Sequence, residues 1–524
     1  MRFGIDLGTT RTVVVRCDGE KYPVVRFKGR RRGEWFGAFP TLAAVRKNDW
    51  VYGVEALECR AQPDWSIVAS FKRALTASYV SLDASVDWEG QSIHILDLLT
   101  QYLCSLKDAL VLRSNIKGLK EDEELEVMVA TPAHAHSTQR FLTLEAFRRA
   151  GFTVKGVYSE PSAAGVHYAQ KYGKTLTSQR DRVLIYDWGG GTFDVSLMER
   201  NDDTFRVLQT AGKSTLGGDD FDSILVDLVL DGAELTKEDL SPATMTRLRL
   251  LCRDEKESLH PNTRNLEIHL GAAMTDAERE ATGWADDDAL FLETSWFYDA
   301  CKPLIQETLD LADLVLKAAA TEVKGVVDEQ ARLAGVFVVG GASSLPIVGR
   351  MVRERFGRRY HRSKEASAAT AIGLATAISL DEKLVTDDRL ARFFGVFREA
   401  DNGERAAFDV LVHPDTILPE SEEATFSLAR YYQPAHNIGH FRFVECDQLH
   451  DYDPDGNVSV VAEVLFPFEP ALQSPSIALE EVPVERQAQW GPWIEERYEV
   501  DSSGCVSFSI KDLNTGYKVE HRLA

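Results

Sequence analysis

Positive charge is scarce in this chain. Its 524 residues carry 59 Lys and Arg against 82 Asp and Glu, a formal net charge of −23. That balance argues against nucleic acid or an anionic membrane as the main partner, since either needs clustered Lys and Arg to displace counterions. Cysteine is sparse too: seven residues (17, 59, 104, 252, 301, 446 and 505), odd in number and without a C-x-x-C pair. Such spacing favours reduced, packing thiols over a disulfide framework or a zinc site. No apolar run is long enough for a bilayer. The least polar stretch, Ala366 to Leu380, is short and rich in Ala, Ser and Thr, and predicts a helix packed closely on a neighbour. Strand-like sequence starts at Arg2 and leaves no room for a secretory signal, so the expected location is cytoplasmic.

A length of 524 residues exceeds what one core usually supports and predicts two or more domains. Up to about residue 380, apolar strand runs alternate with amphipathic stretches such as 95–112 and 138–150, the pattern of an α/β domain. Nine of the eighteen prolines then fall between 393 and 524, among short alternating runs and turn clusters such as Asp453-Pro-Asp-Gly-Asn457. Proline at that density opposes helices, so a smaller all-β sandwich is expected there. The charged segment 381–392 is the expected linker, and 494–523 reads as three strands joined by two turns.

Two glycine turns carry the chemistry. Val183 to Leu197 reads VLIYDWGGGTFDVSL, a strand, a phosphate-sized turn and a second strand; Phe3 to Val15, FGIDLGTTRTVVV, repeats the design. Glycine lets successive N–H groups crowd an anion with no Cβ in the way. One such turn is commonly a plain hairpin, but two suggest half-sites facing one ligand. Asp6 and Asp187 each close a strand beside such a turn. There a carboxylate either caps its own turn or holds a hydrated Mg²⁺ beside phosphates. Two further pairs, Gly217-Gly218 and Gly340-Gly341, stand where helices begin, as a helix start or a ligand loop. Lys72, in Ser70-Phe-Lys-Arg-Ala-Leu75, reads by local physics as an ordinary exposed lysine.

Taken together, FGIDLGTT, YDWGGGTFDVSL, LGGDDFDS and VFVVGGASSLP resemble the nucleotide-binding segments of the DnaK-like seventy-kilodalton heat-shock chaperones, in the actin and sugar-kinase superfamily. Thr131-Pro-Ala133, Gln139-Arg140 and Val157 to Ala164 match as well, collinearly to about residue 378. The resemblance implies an actin-like ATPase domain of two lobes over 1–380, a linker, and a substrate-binding-like β-sandwich over 393–524 without a helical lid. It implies ATP and Mg²⁺ as cofactors. Lys72, Glu160, Asp187, Thr192 and Asp194 would be catalytic, with Asp6 and Asp187 holding the metal through water. Gly8, Thr9, Thr10, Gly190, Gly191, Gly218, Arg253, Lys256, His260, Gly340, Gly341 and Ser344 would line the nucleotide. Pro132 and Arg140 match positions that relay nucleotide state. Implied partners are a protein client or peptide, a J-domain co-chaperone and a nucleotide exchange factor.

The resemblance weakens at the base-binding end and in the C-terminal part. Arg253 stands where an acid is usual, Glu257 where many members have arginine, His260 for a serine, and Ser344 for a second arginine. Arg253 or His260 could stack on the base, or be exposed helix residues. The segment from Thr416 to Asn437 is short, as if a strand or hairpin were lost. The expected function is an ATP-hydrolysing, chaperone-like control of client binding. The alternatives are a non-catalytic nucleotide-sensing scaffold and a small-molecule kinase.

Overall fold

The computed structural model describes all of the chain except residues 31–32, 48, 61, 63, 77–83, 89–90, 202–203, 214, 323–328, 381–385, 388–389, 391, 401–403, 415, 420–423 and 522–524. The expected linker, 381–392, therefore lies largely outside the described residues. Contacts divide the chain into two units. The first comprises Met1–Arg73, Leu98–Ala133 and Phe147–Thr386, and the second Ala74–Asp97, His134–Ala146 and Asp387–Ala524.

The first unit is mixed α/β and builds the same motif twice. In one sheet the strands run Thr153–Ser159, Glu126–Thr131, Arg2–Leu7, Arg11–Arg16, Phe39–Pro40; another includes, in order, Tyr360–Arg362, Leu333–Val339, Arg182–Trp188, Phe193–Asn201 and Thr204–Lys213. Each motif strand, Arg2–Leu7 and Arg182–Trp188, pairs parallel on one side and forms an antiparallel hairpin on the other. Parallel pairing calls for crossover helices, and near-continuous apolar runs such as VLIY suit strands covered on both faces. Val183, Leu184, Ile185 and Tyr186 are fully buried.

The small-residue helix is found at Ala369–Ser379, and its lack of bulk sets how closely it packs. A Cβ on Gly4 would lie 2.3 Å from the Ala371 carbonyl oxygen, and one on Gly373 1.8 Å from that of Ala163. The helix thus ties the strand Arg2–Leu7 to the helix Glu160–Tyr172, which begins with a candidate catalytic residue.

His167 on Glu160–Tyr172 is buried, with Nε2 3.4 Å from the Ser363 hydroxyl. Burial foremost, then Lys171, lowers its pKa from 6.5 to about 4. Between those values the unfolded chain binds a proton that the folded chain excludes, so stability is complete above pH 6.5 and falls towards pH 4. This residue alone contributes a slope of up to about 1.4 kcal/mol per pH unit in that window. Urea midpoints at pH 6.5 and 5 should therefore diverge less in His167→Phe than in wild type.

In the second unit two four-stranded antiparallel sheets run Arg405–Val412, Phe393–Ala400, Ile438–Cys446, Ser459–Pro467 and Phe426–Tyr432, Ile494–Val500, Val506–Asp512, Lys518–His521. The last three strands occupy the expected 494–523 region. The short segment 416–437 holds one strand, Phe426–Tyr432, which pairs with Ile494–Val500. Both sheets contribute to one core: Phe394, Val396 and Phe443 from one, Ile494, Tyr498 and Phe508 from the other. Phe443 and Phe508 ring centroids are 3.7 Å apart. Among the described residues, no helix is long and apolar enough to cross a membrane.

Candidate active site

The two glycine turns close alike. Gly8 N–H donates to the Arg11 carbonyl at 3.1 Å, and Gly189 N–H to the Thr192 carbonyl at 2.9 Å. They also face each other. A Cβ on Gly190 would lie 2.5 Å from the Thr10 methyl, and one on Gly191 2.9 Å from Thr9. Only glycine permits that approach. The Gly217-Gly218 turn docks on the same place: Gly218 and Asp219 N–H groups donate to the Gly189 and Gly190 carbonyls at 3.0 and 2.8 Å. A Cβ on Gly218 would stand 3.5 Å from Ala342 and from the Lys256 ammonium. Gly340 adopts φ +83°, with its Cα side facing the Asp187 carboxylate, while Gly341 is open on that side. Three glycine turns thus meet at one place, where glycine-lined backbone can approach a ligand closely.

Lys72 is buried here. Its ammonium donates to the Leu7 carbonyl and lies 3.8 Å from the Glu160 carboxylate. Three aspartates share this environment. Burial first, then Glu160, pushes the Asp6 carboxyl up to about 7. The same two causes bring Asp194 to about 7 against the Thr192 hydroxyl, which favours its ionised form. Asp187 is raised well above its ordinary value by burial, then Glu160, Asp6 and Asp194. Glu160 itself is raised by burial against the pull of Lys72. Asp194 is buried and Asp6, Asp187 and Glu160 are half-buried, so four carboxyl groups crowd one ammonium and a cation would relieve them. Among the described residues, no three Asp, Glu, His or Cys side chains are placed to hold a metal ion directly. Oxygen donors of this kind suit a hydrated dication held through water, as Mg²⁺ prefers.

The side of the site beside the Gly217-Gly218 turn is wired by charge. Arg253, a candidate for stacking on a base, is instead held between two carboxylates: Nε donates to Asp222 at 2.8 Å and Nη2 to Asp219 at 2.7 Å. Lys256 pairs with Asp222 at 2.5 Å and donates to the Gly218 carbonyl at 2.8 Å. Glu257 pairs with Arg11. His260 and Ser344 are exposed. The Gly-Gly-Asp-Asp-Phe-Asp motif signals a ligand loop through its glycines, but nothing in it announces the partners of Asp219 and Asp222, which lie more than thirty residues away in sequence.

A mixed α/β unit with paired glycine turns, an acidic cluster and a buried lysine beside them has the features of a phosphate-binding site. A family model described as Hsp70 protein matches residues 2–442, and the chain belongs to that family. Hsp70 proteins are chaperone-type ATPases that bind ATP with Mg²⁺ and act on client proteins with co-chaperones.

Proposed function

We propose that this protein hydrolyses ATP to control the binding of a client protein. In this reading, residues 1–380 form a two-lobed nucleotide-binding domain, and 393–524 form a β-sandwich whose affinity for a client polypeptide or peptide follows nucleotide state. A J-domain co-chaperone and a nucleotide exchange factor are the partners that fit it. The observation that carries the reading is Lys72, buried against Glu160 beside two facing glycine turns.

Each residue has a defined part. The turns at 8–10 and 189–192 hold the β- and γ-phosphates through N–H groups and the Thr9, Thr10 and Thr192 hydroxyls. Lys72 stabilises charge on the transferring phosphoryl group and orients the attacking water, and Asp194 and Glu160 fix that water by accepting its protons. Asp6 and Asp187 hold the metal's water shell, and bound Mg²⁺ supplies charge neutralisation at the phosphates. Gly218, Lys256, Gly340 and Gly341 line the nucleoside end. Positioning and electrostatics account for most of the acceleration in such phosphoryl transfer.

Lys72→Ala is expected to keep ATP binding and to slow phosphate release by at least ~10²-fold, the loss that follows removal of a positioned transition-state contact. The check is phosphate release under saturating ATP and Mg²⁺ beside a binding titration. Wild-type turnover no faster than the variant's would favour the non-catalytic scaffold, and transfer of phosphate to a sugar the kinase.

A further inference from the structure

Lys72 sits in a short segment whose shape depends on a residue far away in sequence. The strand Ser66–Ala69 ends, and the 3-10 turn Phe71–Thr76 begins, through Ser70 at φ +54°. That left-handed conformation is costly for a residue with a Cβ and persists only when its surroundings enforce it. Here the enforcing group is Asp219. Its Oδ2 accepts the Ser70 hydroxyl at 2.8 Å and faces Arg73 Nε at 3.5 Å, so one carboxylate grips both flanks of Lys72.

Asp219 is itself fixed three ways. It lies in the first turn of the helix Gly218–Gly232, its N–H donates to the Gly190 carbonyl at 2.8 Å, and its Oδ1 accepts Arg253 Nη2 at 2.7 Å. Arg73 also donates to the Gly191 carbonyl at 3.2 Å. A continuous charged chain therefore runs from Lys256 through Asp222, Arg253 and Asp219 to Ser70 and Arg73. It joins the nucleoside end of the site to the segment that presents the lysine.

We propose that Asp219 is a positioning residue for Lys72: by holding the strained Ser70 and Arg73 it sets where the ammonium stands relative to the glycine turn. Its activity arm rests on the hydrolysis reading above, whereas its conformational arm does not. Asp219→Asn keeps the size of the side chain and removes the charge. Arg73 then loses Asp219 and keeps Asp220, 3.5 Å from its Nη2, as its remaining acid, and Ser70 loses its charge-assisted acceptor, so the segment relaxes.

The test combines hydrogen exchange over Phe71–Arg73 with single-turnover ATP hydrolysis. In Asp219→Asn, exchange there should rise on the order of tenfold. Turnover should fall roughly ten- to ~10²-fold, as a misplaced catalytic group costs, with apparent ATP affinity changing less than ~3-fold. Ser70→Gly on that background should recover part of both, because glycine adopts φ > 0 without strain, and a merely structural role for Asp219 predicts no such rescue. Should Asp219→Asn fail to fold, Ser70→Ala removes only the hydroxyl donor and should raise the same exchange. Unchanged exchange over Phe71–Arg73 in these variants overturns the proposal whatever the turnover. Wild-type protein without turnover, but with exchange moving as expected, sinks the hydrolysis reading and leaves the hold of Asp219 on the segment established.

Discussion

Gly373→Ala is expected to destabilise the first unit by about 3 kcal/mol or more, at or beyond the upper end of overpacking costs. The new methyl would stand 1.8 Å from the Ala163 carbonyl oxygen and 2.5 Å from its carbon. Both are backbone atoms in the helix Glu160–Tyr172, so no side-chain rotation relieves the clash and the two helices must separate. Retreat the other way is blocked, since the strand Arg2–Leu7 meets the opposite side of Ala369–Ser379 through Gly4. Separation would also carry Glu160 away from Asp6 and Lys72, so turnover should fall with stability. Gly37→Ala is the control: it is exposed, a Cβ there meets nothing within 4 Å, and a shift within about 0.5 kcal/mol is expected. Urea unfolding of the two variants tests this directly. Equal midpoints would mean that the helices can part at little cost.

Glu496→Ala should cost the second unit about 3–5 kcal/mol, the usual penalty for removing one partner of a buried ion pair. Glu496 has no exposed surface and lies on Ile494–Val500 facing the core. Arg398, from the other sheet, donates to both its oxygens at 3.0 and 2.6 Å; the Tyr432 hydroxyl donates at 2.5 Å, and the Tyr498 hydroxyl also donates to it. Truncation would strand two hydroxyls and leave Arg398 with Asp409, 2.7 Å away, as its remaining acid. Glu496→Gln, which can still accept, should cost less. Combining Arg398→Met, Glu496→Leu, Tyr432→Phe and Tyr498→Phe should recover most of the loss, because a well-packed apolar replacement avoids the desolvation of both charges and leaves no hydroxyl stranded. Denaturant unfolding of each variant, followed by circular dichroism, would register each step. A combined variant no more stable than Glu496→Ala would refute the desolvation argument.

Much of this was legible along the chain wherever the determinant is local. Both glycine turns lie within single hairpins, so an aspartate, glycines and threonines in register announce them. The helices Ile95–Leu112 and Ser137–Arg149 follow from their spacing. The tail strands follow from alternation and turn residues. Lys72 is different, since nothing within ten residues of it marks burial and resemblance alone singles it out. The strand Phe426–Tyr432 is hard to bound from sequence because its burial pattern, mostly exposed and half-buried, offers no clean alternation. Arg253 reads as a base-stacking or exposed residue because its carboxylates belong to another helix.

What the order of residues determined was the recurring strand–turn–strand units, the alternation of strands with helices and the proline-rich β character of the C-terminal part, all products of contacts within a few residues. Tertiary structure alone decided which charges meet: Asp219 with Ser70, Arg73 and Arg253, Glu496 with Arg398, and four carboxyl groups with Lys72. The physical reason is that burial and pairing depend on groups brought together across more than thirty, and often more than a hundred, residues. No local periodicity encodes the partner of a buried ion.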